Sequence, residues 1–225
     1  MLKLTFLGHS CFLFEDGKHK IVIDPFITHN PAATIKATDL KVDYIVVTHG
    51  HGDHLGDSIE IAKKCGATII SNDEIAKYAA SLGIKAHNMH IGGAFNFPFG
   101  RLKLTIAHHG SAAPDGTYMG NPVGIVMNFG GKTIYHTGDT GLFLDMKLIG
   151  ELNKIDLLLV PIGDNYTMGV DDAVKAVEFV NPNTVIPMHY NTFDIIAADP
   201  YDFKAKVEKL GKECIIMNVN DLKEF

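Results

Sequence analysis

Three imidazoles and a carboxylate stand within six residues in His49-Gly50-His51-Gly52-Asp53-His54. Neutral imidazole and ionised carboxylate are ligands that divalent transition metals accept readily, and this order places four of them in one tight turn with a spacing that suits two adjacent ions. A lone histidine on an apolar face is usually a satisfied core or surface residue, but a cluster of this density has no comparable structural use. The chemistry it points to is metal-assisted activation of water.

One turn cannot complete two coordination spheres, so other segments must contribute. His108-His109-Gly110-Ser111, Thr137-Gly138-Asp139-Thr140 and Met188-His189-Tyr190 are the candidates, each following a strand-like run. Taken singly, they read equally well as a strand end, a turn or cap, and an ordinary loop residue. Together they match a site built where the carboxyl ends of separate strands converge. Alternation along Arg101 to Ala107 puts His108 on the face of Leu102, Leu104 and Ile106, the core side, and His109 on the other.

The positioning elements are legible from periodicity. Leu2 to Leu7, Cys11 to Glu15 and Lys20 to Ile23 read as a β-meander with a hairpin turn at Asp16-Gly17. Val42 to Val47 is a buried strand that delivers the histidine cluster. Leu55 to Cys65 is a helix stopped by Gly66, Ala67 to Ile70 a strand, and Asn72 caps a helix through Leu82 that Gly83 ends. A second hairpin-rich block follows at Ala94 to Phe97, Arg101 to Ala107, Val123 to Phe129 and Lys132 to His136. Helix and strand then alternate: helices over Leu142 to Leu152, Val170 to Val180 and Tyr201 to Leu210, and strands over Leu157 to Val160, Thr184 to Pro187 and Cys214 to Met217. Each half therefore runs strands first and then helix-strand alternation, which predicts two β-then-α halves packed sheet to sheet with helices outside. With no Pro-, Ser- or charge-rich linker, residues 1–225 read as a single domain.

Composition narrows the partners. With 46% hydrophobic and 20% charged residues the chain is an ordinary globular protein, and a net charge of −6 disfavours a nucleic-acid backbone as its main partner. The first residues read as a strand and not a signal peptide, and no run approaches the roughly 18 apolar residues of a membrane span. Three scattered cysteines, Cys11, Cys65 and Cys214, fit reduced thiols in a cytoplasmic protein. A small-molecule substrate is the expected partner, and the oligomeric state is left open.

Through His49-Gly50-His51-Gly52-Asp53-His54, His109, Asp139 and His189, the chain resembles the metallo-β-lactamase fold superfamily over nearly its full length. It looks most like a small family of metal-dependent hydrolases related to the ascorbate-6-phosphate lactonases. The supporting segments are Gly8-His9-Ser10, Ile23-Asp24-Pro25-Phe26, His109-Gly110-Ser111, Gly138-Asp139-Thr140, Pro161-Ile162-Gly163-Asp164-Asn165 and His189-Tyr190-Asn191. The resemblance implies an α/β (α+β) four-layer αββα sandwich. It also implies a ligand set: His49, His51 and His109 for one ion, Asp53, His54 and His189 for a second, and Asp139 bridging them, His109 being the choice over His108. Asp24 resembles an acid that steadies the ligand loop by hydrogen bonding and reads equally well as a plain strand-end turn residue, while His9, Asp164, Asn165 and Tyr190 are either pocket residues or plain loop polar groups.

The resemblance implies two divalent ions, zinc as the default and Mn, Fe or Ni compatible with the same donors. Ions roughly 3.5–4 Å apart lower the pKa of a shared water toward about 7. The resulting metal-bound hydroxide attacks the carbonyl or phosphoryl centre of an ester, lactone or phosphodiester, with Asp53 and Asp139 as the catalytic carboxylates. A diiron oxidoreductase of the same fold is the alternative enzyme, disfavoured because that family carries Glu where this chain has His51 and continues into a flavin domain. The segment after His189 also reads as too short for an added substrate domain. A non-catalytic metal-binding or sensor protein is the alternative from another class, opposed by the completeness of the ligand types.

Overall fold

The structure, a computed structural model, describes residues 1–225. The first half supplies β1 (Lys3–Gly8), β2 (Cys11–Glu15), β3 (Lys20–Ile23), β4 (Tyr44–Val46), β5 (Thr68–Asn72) and β6 (Ala86–Met89). The second supplies β7 (Ala94–Phe97), β8 (Gly100–Ile106), β9 (Val123–Phe129), β10 (Lys132–His136), β11 (Leu157–Pro161), β12 (Thr184–Met188) and β13 (Glu213–Cys214). The last strand, β14 (Leu222–Glu224), crosses back to pair with β1, so each half becomes a seven-stranded sheet.

Both sheets follow one plan. β1, β2 and β3 are antiparallel neighbours joined by tight connections, and β3 to β6 are parallel. Likewise β7 to β10 are antiparallel and β10 to β13 parallel. Parallel neighbours require crossovers. α1 (Gly52–Leu55), α2 (Ser58–Cys65) and α3 (Asp73–Ser81) lie in the crossovers of the first sheet, and α4 (Asp145–Leu152), α5 (Val170–Val180) and α6 (Pro200–Lys209) in those of the second.

Strand side chains alternate between two apolar layers, because each sheet is covered on both faces. Ile21, Ile23 and Val46 pack inward against Leu104, Ile125 and Leu159 of the opposite sheet. Val22, Ile45 and Ile69 face outward onto Ile61, Ile75 and Ala79 of α2 and α3. Val160 and Val185 do the same with Ala173, Val177 and Phe203. The predicted four layers, helices outside two facing sheets, are therefore the layers found. No helix is long and apolar enough to cross a membrane, and all three cysteines are unpaired thiols.

Three departures from the sequence expectation have physical causes. The helix predicted over Leu55 to Cys65 is two helices, the first beginning inside the histidine motif. They are separated at Gly56 (φ +42°), where a Cβ would come within 2.4 Å of the Pro25 carbonyl oxygen. Asp57 locks that break, its N–H donating to Pro25 O (2.8 Å) and its carboxylate accepting from the N–H groups of Ile27 and Thr28. β6 and β14 were not anticipated, since Ala-His-Asn-Met and Leu-Lys-Glu lack strand alternation and are recruited by neighbouring edges. The strand expected to reach Met217 stops at Cys214.

Candidate metal centre

The ligand candidates and the two residues that flank them, His9 and Asp24, sit just beyond the carboxyl ends of strands, three strands from each sheet. His9 follows β1, Asp24 follows β3, and the His49–His54 turn follows β4. From the second sheet, His109 follows β8, Asp139 follows β10, and His189 follows β12. The sheets face each other, so these six loops meet along one rim of the sandwich.

The side chains gather into touching groups. His51 Nδ1 lies 3.0 Å from His49 Nε2 and 3.2 Å from His109 Nε2. Asp53, His54 and His189 form a second group with His9. Asp139 stands between the two: its Oδ2 is 2.9 Å from His189 Nε2, 3.3 Å from His54 Nε2 and 3.6 Å from His109 Nε2. All seven predicted site residues are thus brought together. Of the two adjacent histidines it is His109 that enters the cluster. The core-side expectation for His108 is overturned: β8 ends at Ile106, so strand alternation no longer applies, and the exposed His108 ring lies against the Phe143 edge (5.0 Å).

The hydrogen bonds behind this cluster decide which nitrogens face it. Asp24 is fully buried, and its Oδ2 accepts from Thr48 Oγ1 (2.6 Å) and His54 Nδ1 (2.8 Å) while Oδ1 accepts from the Thr48 N–H (2.8 Å). His54 Nδ1 therefore carries the proton. Because the Thr48 hydroxyl proton is committed to Asp24, that oxygen accepts from His49 Nδ1 (3.0 Å). Both Nε2 atoms are left facing the centre, as the positions that a proton or a metal would fill. His54 Nε2 and Asp139 Oδ1 are buried with no hydrogen-bond partner; the 3.3 Å approach of His54 to Asp139 is too poorly aligned to be one. Ring nitrogens and carboxylate oxygens turned on one another need a positive charge between them, a proton or a metal cation, and a cation there converts the arrangement into coordination. The donor set, all imidazole and carboxylate, fits a first-row divalent metal.

Electrostatics lean the same way. Burial lowers the pKa of His49. At His54 burial also disfavours charge, but Asp139 and Asp24 outweigh it and push the group well above the usual histidine range, the same field that would attract a cation. Burial works against ionising Asp139, yet His189 and His54 hold it well below the usual carboxylate range. Asp53 is lowered too, against its burial, by the His9 hydrogen bond and the His54 charge.

Several residues hold the turn in place: the predicted helix cap Asn72, and Ser111, Gly50 and His136, whose supporting roles the sequence did not assign. Gly50 N–H donates to Ser111 Oγ (3.0 Å), whose own proton goes to Met119 O (3.2 Å), so Ser111 is a brace. Gly50 must be glycine, as a Cβ would fall 2.4 Å from Met119 Cβ. Asn72 caps α3 through Ile75 N–H and also donates to Met119 O and Asn121 O. His136 is buried, donating from Nε2 to Ser10 O (3.1 Å) and accepting the Gly138 N–H at Nδ1 (3.1 Å), which sets the turn into Asp139. Asp164 and Asn165 are exposed turn residues with φ near +50° (58° and 48°), and Tyr190 packs on the outer core. Their residue types alone could not separate these cases.

A two-sheet αββα sandwich with a His/Asp cluster on the rim between its sheets defines the metallo-hydrolase class of protein. The sequence profile of the beta-lactamase superfamily domain matches residues 3–189. A UPF0173 metal-dependent hydrolase of Carboxydothermus hydrogenoformans is 50% identical over 223 residues, 98% of this chain and 99% of the relative. Another, from Pelotomaculum thermopropionicum, is 54% identical over 211 residues, 92% of each chain. Among solved structures, Igni18, a metallo hydrolase from the hyperthermophilic archaeon Ignicoccus hospitalis, superposes with a TM-score of 0.91 at 39% identity, covering 100% of this chain and 99% of that one. The chain belongs to the beta-lactamase superfamily and, within it, to the UPF0173 metal-dependent hydrolases.

Proposed function

We propose that this protein hydrolyses a small-molecule ester, lactone or phosphodiester at a centre of two divalent metal ions. His49, His51 and His109 would hold one ion, Asp53, His54 and His189 the other, and Asp139 both, with zinc the first choice and Mn, Fe or Ni compatible with the donors. Bound there, the pair supplies Lewis acidity and a water of lowered pKa. The residues do the rest. Asp24 and Thr48 fix the tautomers of His54 and His49, so their Nε2 lone pairs are preset. Asp53 and Asp139 stay ionised, balance the cationic charge and orient the attacking water through their carboxylate oxygens. Ser111 is no nucleophile, its proton being spent on Met119 O.

The observation that carries this reading is the buried, partnerless pair of His54 Nε2 and Asp139 Oδ1 amid converging donors from both sheets. The net charge of −6 supports a small molecule over a nucleic acid, and three unpaired cysteines support a cytoplasmic setting. The rim site is complete within the chain, which supports residues 1–225 acting as one domain. The test is metal analysis after loading, combined with turnover of lactone, ester and phosphodiester probes. Two ions per chain are expected, with activity lost in His51→Ala and Asp139→Asn. Fewer than one ion per chain, or activity indifferent to both substitutions, refutes the reading.

A further inference from the structure

His9 lies outside the ligand set, yet it is 3% exposed and both ring nitrogens are occupied. Nε2 is 3.1 Å from Asp53 Oδ2, and Nδ1 is 2.9 Å from Thr192 Oγ1. An ionised Asp53 can only accept, so His9 Nε2 donates, and the neutral ring's Nδ1 must then accept the Thr192 hydroxyl proton. The same residue's carbonyl accepts the His189 N–H (2.9 Å), and its ring lies 4.1 Å from the His189 ring, centroid to centroid. His9 pays for this place with a left-handed backbone, φ +57°. One residue from the first sheet thus grips two members of the second donor group, one from each half of the fold.

We propose that His9 is the positioning residue of the second metal ion, which rests on the two-ion reading above. By donating to Asp53 Oδ2, the oxygen that also lies 3.9 Å from both His54 Nε2 and His189 Nε2, it fixes the carboxylate's rotation toward the second donor group, and by its carbonyl it fixes the loop that carries His189. Thr192 sets the tautomer that makes the donation possible. Outer partners of this kind commonly change metal affinity by about 10–100-fold when removed.

Two substitutions separate orientation from mere backbone support. Glutamine places its amide nitrogen near the position of Nε2, so His9→Gln keeps the donor to Asp53, although a left-handed backbone suits it less. Asparagine tolerates positive φ but its shorter amide lacks a donor at Nε2, so His9→Asn keeps the backbone and loses the orientation.

The experiment is a competitive chelator titration with Zn²⁺, run beside Co²⁺ absorption spectra and thermal melts of the metal-stripped proteins. Wild type takes two ions. His9→Asn is expected to hold the first as wild type does and the second about 10–100-fold more weakly, whereas His9→Gln recovers most of the loss and Thr192→Val falls between. The opposite ranking, Asn better than Gln, makes His9 a backbone support and overturns the proposal. So does an unchanged second affinity in His9→Asn, or a Co²⁺ spectrum showing one fewer imidazole, which would make His9 itself a ligand. A wild type that takes only one ion brings down the two-ion reading itself and is seen before any variant is made.

Discussion

Asp24→Asn separates the charge of a buried acid from its shape. The backbone there is left-handed (φ +47°), a conformation asparagine tolerates and alanine does not, so the substitution tests chemistry and leaves the turn intact. The carboxylate accepts three bonds, from Thr48 N–H, Thr48 Oγ1–H and His54 Nδ1–H. An amide keeps an acceptor for the first and sets an NH2 against the other two. A hydrogen bond to a charged group contributes about 1.5–3 kcal/mol. The Thr48 hydroxyl can rotate to spare its share, leaving about 1.5–3 kcal/mol lost at His54. The imidazole can relieve the clash by moving its proton to Nε2, which aims an N–H at Asp139 where a lone pair is needed. The variant is therefore expected to lose that stability in urea melts of the metal-stripped protein. It should also bind the ion assigned to Asp53, His54 and His189 about 10–100-fold more weakly by chelator competition. Wild-type affinity for both ions together with an unchanged urea midpoint would refute the tautomer argument.

Gly50→Ala should destabilise by about 1–3 kcal/mol through overpacking on Met119 and displace the neighbouring His49 and His51; thermal melts of Gly50→Ala with and without Met119→Ala should show partial rescue. Ser111→Ala leaves the Gly50 N–H without its partner, costing about 1–3 kcal/mol in urea melts, while hydrolysis of a lactone or ester probe persists. Burial lowers the pKa of His136, so the folded state keeps it neutral while the unfolded chain protonates it near the usual pKa of about 6.5. Its contribution is complete above that pH and lost as pH falls below it. Stability measured in urea between pH 6.5 and 5 should fall less steeply in His136→Gln, by up to about 1.4 kcal/mol per pH unit.

The most legible part of the site was the part contiguous in sequence. Four donor side chains in His49–His54 announce themselves without a fold, whereas His109, Asp139 and His189, each after a strand-like run, stand out only in combination and through the family resemblance. α5 was equally plain, its Val170–Val180 bounds set by regular apolar spacing and a left-handed Asn181 at its end. What stayed hidden depends on contacts across the chain. The break between α1 and α2 is made by Pro25, whose neighbour Ile27 bonds Asp57 across a sequence separation of 30 residues. His108 could be placed only once β8 was seen to stop at Ile106. The role of His9 depends on Asp53 and on Thr192, which lies 183 positions away. β6 and β14 have no pattern of their own because their partners supply the order.

The common plan of the two sheets has a consequence for how the molecule comes apart. Each donor group draws residues from both halves: His49 and His51 with His109, and Asp53 and His54 with His189. On the proposed assignment each ion is a clamp between the halves, applied at one rim of the apolar layer that joins them. Anything bound only by the folded state raises its stability by mass action, by about 2.7 kcal/mol at one hundred times the dissociation constant. Chelation should therefore spring the sandwich open from its catalytic edge first, and the melting temperature should report the free metal around the protein.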